Sequence, residues 1–314
     1  MGKTQRRLKK IKKAIEQFDH VLEIEPDCFP AYGQIMKCAR RDAAYKSKCN
    51  ESAKRIIEAI KEENEKLPLR TALALISDLR SCNLDEVYPD KKELCKLFKT
   101  LILKVSYDGM YQFYEAFVAF VNFFSYPKEL SEECLDLYNQ IPMLKYISVE
   151  SINRENYANV LDAFSVIYSL LDEEDKRKEK IRTFIKQVIK KLESSTKPYE
   201  VRSALKALNK CGCYREAASF NINEGVKSDA WILFWLAKAK IELNEPSCLD
   251  SIERALACKS SSDKYDATFY QCKALCLKVN GKNDEAKEWY RKAIDACGND
   301  AFKKSLQKEL DELG

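Results

Sequence analysis

The most constraining stretch of this 314-residue chain is "ATFYQCKALCLKVNGKNDEAKEWYRKAIDACG", Ala267 to Gly298. Apolar residues recur here at three- and four-residue steps on both sides of Gly281-Lys282-Asn283. That spacing predicts two amphipathic helices joined by a tight turn. Ala274 on the first helix faces Ala286 on the second, so small side chains allow a close approach. Tyr270, Leu277, Tyr290 and Ala293 fill the layer between this hairpin and its neighbours. Asp284 is expected to cap the second helix by accepting from its free N–H groups.

The rest of the chain is compatible with helices throughout. It has only 8 Gly and 8 Pro against 46% hydrophobic and 33% charged residues. Few breakers and abundant Lys, Glu, Leu and Ala favour helices over sheets, and no alternating β-branched run stands out. The fold class expected is all-α.

Opposite charges nearly balance, with 54 basic and 49 acidic residues. The excess gathers at the N-terminus, where Lys3, Arg6, Arg7, Lys9, Lys10, Lys12 and Lys13 run without an acid. Such a run is a solvated helix face or a contact for nucleic acid or an acidic surface. Thirteen cysteines mostly sit inside helical patterns, for example Cys38, Cys95, Cys134, Cys272 and Cys276. With no signal peptide and no long apolar stretch, a reducing cytoplasmic setting without a membrane anchor is expected. Met1-Gly2 does not open a myristoylation signal, because Arg6 stands where Ser or Thr is wanted.

Read as a unit from Ala267, the stretch resembles the tetratricopeptide repeat (TPR) family, whose repeat is about 34 residues long. Tyr270, Ala274, Leu277, Gly281, Ala286, Tyr290 and Ala293 match the family's positions; Lys273 and Gly298 replace its usual Leu and Pro. The opening "KKAIEQFDHVLEIEP" matches a second helix, with Ala14, Phe18, Val21, Leu22 and Pro26 in place. Its first helix is not in view. Either the preceding residues extend the same helix as a cap, or that partner lies outside this chain. A single capping helix packed on the hairpin beginning at Phe29 is the expectation. "FPAYGQIMKCARR" and "ESAKRIIEAIKEENEKLP" then form a degenerate unit closing at Pro68, with a long loop from about Asp42 to Asn50. "ALKALNKCGCYREAASFN" resembles both tetratricopeptide and pentatricopeptide hairpins, with Ala217 inward. "DAWILFWLAKAKIELNEPSCLDSIERALAC" adds another unit, with Ala237 and Ala255 at small positions and Pro246 starting its second helix.

Between Leu69 and Ser195 the helical period persists without the motif. Helices are expected near Arg70–Cys82, Lys91–Val105, Met110–Phe124, Ser131–Gln140, Arg154–Leu171 and Asp175–Glu193. The whole is expected to be one right-handed α-α superhelix over residues 1–314, with sub-blocks 1–68, 69–195 and 196–314. "ESSTKPYE", Glu193 to Glu200, is the expected flexible joint.

Chemistry-bearing patterns are few. His20 is the single histidine, no phosphate-cradling loop appears, and no Ser or Cys has a nucleophile's context. The pairs Cys211/Cys213 and Cys272/Cys276 are packing residues or zinc ligands, and packing is favoured. No cofactor is expected. The segment Tyr107 to Tyr126 is either a buried solenoid helix or an aromatic groove for a partner. Candidate partner contacts are Tyr111 and Tyr114 there, Lys37 and Arg40 in the early unit, and Trp231 and Trp235 in a later one. The resemblance implies a non-catalytic scaffold or adaptor for a protein or peptide partner. The family's site for acidic C-terminal peptides is not reproduced, since Gln271, Cys272 and Leu275, with Gly33 and Lys37, occupy its places. A nucleic-acid-binding solenoid and the repeat portion of a larger enzyme are the alternatives.

Overall fold

The computed structural model describes residues 2–39, 42–79, 82–104, 110–125, 128–141, 143–193, 195–259 and 265–313, with side chains at all of these but 2–8, 43, 110–113, 128 and 146. The described residues are helices, turns and loops, without a strand. They form two compact units, residues 1–152 with 170–172, and residues 153–169 with 173–314.

The first unit contains α1 (Gly2–Ile24), α2 (Phe29–Ala39), α3 (Lys46–Lys61), α4 (Leu69–Asp78), α5 (Leu84–Val87), α6 (Lys91–Leu103), α7 (Met110–Phe124), α8 (Lys128–Gln140) and α9 (Met143–Tyr146). α1 is one helix packed on α2, as expected of the opening segment. The face it buries differs from the motif's. Ile11 and Ile15, one turn apart, are in the core, whereas Val21 and Ile24 are exposed and Ala14 and Phe18 half-buried. The loop expected over 42–50 is also shorter. α3 starts at Lys46, because Cys49, Ser52, Ala53, Ile56, Ile57 and Ile60 continue one buried stripe.

α7 is the central helix of this unit, packed against α4, α6 and α8. Ala116, Phe117, Val118, Ala119, Phe120, Val121 and Phe124 are all buried, so the helix is covered on most sides. The Phe120 and Phe124 ring centroids lie 4.9 Å apart, close to edge-on. Lys99 of α6 reaches both Glu133 and Asp136 of α8. Of the two readings of the aromatic segment, its described side chains fit the buried one.

The second unit contains α10 (Tyr157–Leu170), α11 (Arg177–Lys190), α12 (Pro198–Lys210), α13 (Tyr214–Ala218), α14 (Ala230–Glu242), α15 (Cys248–Cys258), α16 (Asp266–Val279), α17 (Asn283–Ala296) and α18 (Asp300–Asp311). From α12 onward these are three successive hairpins and a terminal helix, each packed on the next. All three hairpins turn in the same way. The second residue past the first helix is left-handed: Gly212 at φ 69°, Asn244 at φ 55° and Gly281 at φ 71°. The next N–H then bonds back into the helix, Cys213 to the Leu208 carbonyl, Glu245 to Lys240 and Lys282 to Leu277, each at 2.9 Å. This closure satisfies carbonyls that a helix end otherwise leaves open, and glycine meets it without steric cost. Replacing Gly281 by Ala should cost about 1 kcal/mol, while Asn244→Gly should be neutral or stabilising by a few tenths. Urea melts of the two variants check the contrast.

Small residues sit where helices meet. Ala204 and Ala217, Ala237 and Ala255, and Ala274, Ala286 and Ala293 are all fully buried. Two details differ from expectation. Asp284 does not cap α17; it lies in the helix's first turn, exposed, and the N-cap residue Lys282 makes no side-chain cap bond. Pro246 precedes α15, which starts at Cys248. α18, capped by Asn299 accepting from the Phe302 N–H at 2.9 Å, covers the last hairpin by burying Leu306 against Ala274, Tyr290 and Ala293. The Tyr290 hydroxyl donates to Glu309 on α18 at 3.0 Å.

The start of α11 carries a pH-sensitive clamp. Asp175 accepts from the Arg177 guanidinium at 2.6 Å and from the Arg177 backbone N–H at 2.8 Å. The guanidinium bond, then the backbone bond, hold its pKa at about 2. An unfolded Asp titrates at about 3.9. The folded value is the lower one, so this stabilisation is complete above that pH and is lost as pH falls toward 2. Asp175→Asn should therefore flatten the fall of Tm between about pH 4 and pH 2.

Candidate interaction surface

The second helix of the first of these hairpins is cut short. α13 has 5 residues, whereas its counterparts α15 and α17 have 11 and 14. The sequence explains the stop. Ser219 turns its hydroxyl back to the Arg215 carbonyl at 2.8 Å, and Asn223 accepts from the Gly225 N–H at 3.0 Å. Such local side-chain bonds compete with helix propagation. The chain runs on without helix through Ser219–Asn223.

Two hollows flank this segment and share Ser219, Phe220 and Asn221 as a wall. The larger, about 580 Å³, has an apolar floor of Phe220, Ile222, Leu233 and Leu236, with Lys227 and Arg254 at its rim. The smaller, about 370 Å³, includes Ile189, Leu208, Lys186 and Lys190, together with the carboxylates of Glu193 and Glu216. Lys186 pairs with Glu216 at 2.5 Å. Both cations of the larger hollow have acidic neighbours, Lys227 with Glu224 and Arg254 with Asp250 at 3.6 Å. These pairs are well exposed, so solvent competes strongly with them. Among the described residues no carboxylate lines the larger hollow itself.

The residues singled out from sequence are scattered. Trp231 and Trp235 lie on α14, half-buried against the core it shares with α15 and α16. The Trp231 ring meets Phe269 and Tyr265 at centroid distances of 4.9 and 5.2 Å. Leu233 and Leu236, on the same helix, belong to this core as well and also line the larger hollow. Lys37 is exposed on α2 and pairs with Asp78 at 3.1 Å. Arg40 and the Tyr111 side chain lie outside the described residues. Tyr114 is 3% exposed, inside the α7 core and away from any surface a partner reaches. The hollow's own residues, Phe220, Leu236 and Arg254, were not among the candidates. The available signal was the run of Ser219, Asn221, Asn223 and Gly225, too polar and too turn-prone to extend α13.

His20 is exposed, its Nδ1 3.1 Å from Glu23. Cys211 and Cys213 are buried at the α12 turn, and burial pushes the Cys211 thiol up to about 12. Cys272 and Cys276 are buried inside α16. Among the described residues no three of His, Cys, Asp or Glu gather as metal ligands would, and no helix is long and apolar enough to cross a membrane.

The family model of the tetratricopeptide repeat matches residues 1–28 and 267–300. No curated protein matches the chain. The second match spans α16, the Gly281 turn and α17, the hairpin whose buried alanines and left-handed turn are described above. The first covers α1. The two matched segments, near the two ends of the chain, are similar to the tetratricopeptide repeat, and the described residues are all-α.

Proposed function

We propose that this chain is a non-catalytic protein-interaction module, and that the larger hollow beside α13 receives a peptide segment of its partner. Tetratricopeptide repeats are protein-binding units, which supports the general role. The observation that carries the finer reading is the shortened α13, which leaves Phe220, Ile222, Leu233 and Leu236 as an apolar floor below Lys227 and Arg254. An occupant of matching chemistry is a short segment pairing large apolar side chains with a carboxylate. The apolar residues would supply most of the affinity, and the carboxylate would set orientation. Trp231 and Trp235 pack on the core that carries Leu233 of this floor.

A displayed library of random peptides, panned on the full chain, tests the proposal. Enriched sequences should combine acidic and large apolar residues. Leu236→Asp and Arg254→Glu should each weaken the best binder by about tenfold or more, about 1.4 kcal/mol. Binders without acidic residues, or binders indifferent to both substitutions, would remove this site from consideration.

A further inference from the structure

We propose that Cys49 and Cys82 form a thiol pair that a hydroperoxide oxidises to a disulfide, tying α3 to the segment that follows α4. Their sulfurs stand 2.6 Å apart although the residues are 33 positions apart in sequence. The approach is organised by its surroundings. Cys82 also donates to the Cys49 carbonyl at 3.3 Å. Just beyond Cys82, Glu86 of α5 accepts from Lys46 and Asn50 of α3, at 2.8 and 3.1 Å, on either side of Cys49 along the helix. The Asn83 amide joins the same carboxylate at 2.9 Å. These bonds hold the 82–86 segment across α3, so the second sulfur waits beside the first. Proximity of this kind makes the closing step effectively unimolecular.

The two sulfurs differ in access and in ionisation. Cys49 is buried, whereas half-buried Cys82 lines a hollow of about 390 Å³ with Asn83, Leu84 and Leu94. A small peroxide entering there meets the pair from the Cys82 side, next to the Cys49 sulfur it must reach. The hydrogen bond from the Cys82 thiol holds Cys49 toward its thiolate, and the same bond pushes Cys82 upward. Elsewhere burial drives thiols the other way. Cys95 and Cys248 are pushed up to about 12, and Cys134 rises too. A thiolate, and not a thiol, is the nucleophile.

The chemistry balances with the peroxide as the sole oxidant. The Cys49 thiolate, having released its proton to solvent, attacks one peroxide oxygen. The O–O bond breaks and hydroxide leaves, taking up a proton to become water. Cys49 is then a sulfenic acid. The Cys82 sulfur attacks the Cys49 sulfur, the S–S bond forms, the S–O bond breaks, and the second water leaves with the Cys82 proton. Two thiols are oxidised and one peroxide is reduced to two waters.

The test exposes the native full-length chain to limiting hydrogen peroxide, alkylates remaining thiols, and maps peptides without reduction. A Cys49–Cys82 linked peptide should form before any other cysteine linkage and vanish with dithiothreitol. In Cys82→Ser the linkage should be absent and Cys49 should instead be trapped by dimedone as a sulfenic acid. Recovery of Cys49 and Cys82 as alkylated thiols after exposed Cys258 has been oxidised would overturn the proposal. Linkage of either to a different cysteine under native conditions would do the same.

Discussion

Phe120→Ala should remove about 3–5 kcal/mol from the stability of the first unit. Phe120 has no exposed surface and lies mid-way along α7, the helix that α4, α6 and α8 all touch. Truncation deletes the ring's contacts with Phe124 and leaves a cavity between helices that cannot all close on it at once. A domain of this size is stable by about 5–15 kcal/mol, so the loss is a large fraction of the total. Phe120→Leu, which refills most of the volume, should cost far less, about 1 to 1.5 kcal/mol. Urea unfolding followed at the first unit separates the two. A Phe120→Ala variant as stable as the parent would mean that α7 is not the core of this unit.

Ala286→Leu has the opposite sign of volume change and should cost about 1–3 kcal/mol in the second unit. Ala286 is fully buried on α17, the helix packed against α16. Three added methyl-sized groups have no space there without separating the two helices. Separation would also break the Tyr290–Glu309 bond and release Leu306 of α18. Hydrogen exchange across α16 to α18 should accelerate well above that of α11 and α12. Unchanged exchange would show that the small residues are not what sets this approach.

Much of this arrangement could be read from the chain because helical packing leaves a periodic trace. Ala274, Ala286 and Gly281 are each required by a contact or a dihedral, and each stands at the spacing a helix hairpin demands. The helices of the motif-free middle were recoverable for a related reason: α7 needs apolar residues on most sides, so its pattern is unmistakable. The buried face of α1 could not be read from the motif: Ile11 and Ile15 are in the core, while the motif residues Ala14 and Phe18 are half-buried. Asp284 was misread as a cap because the hairpin's closure is achieved by backbone bonds at Gly281 and Lys282. α18 carries no motif and came from the structure alone.

The candidate surface was harder to see for a physical reason. A hollow left by a shortened helix is defined by side chains distant in sequence, here Phe220, Leu236 and Arg254. Individually they are an ordinary loop aromatic, a helix leucine and a surface arginine. Trp231 and Trp235 drew attention by size, yet large aromatic rings are buried wherever a neighbour such as Phe269 can receive them. The Cys49–Cys82 pair was hidden likewise, since only the fold brings α3 beside the segment after α4.

If the hollow beside α13 receives the partner, its walls should become protected when a peptide binds. Hydrogen-exchange mass spectrometry of the full chain, with and without the best peptide from the library, tests it directly. Protection should concentrate in residues 219–227 and 232–236, with a smaller effect around Arg254. Protection confined to the basic face of α1, or to the helices around Lys37, would contradict the claim.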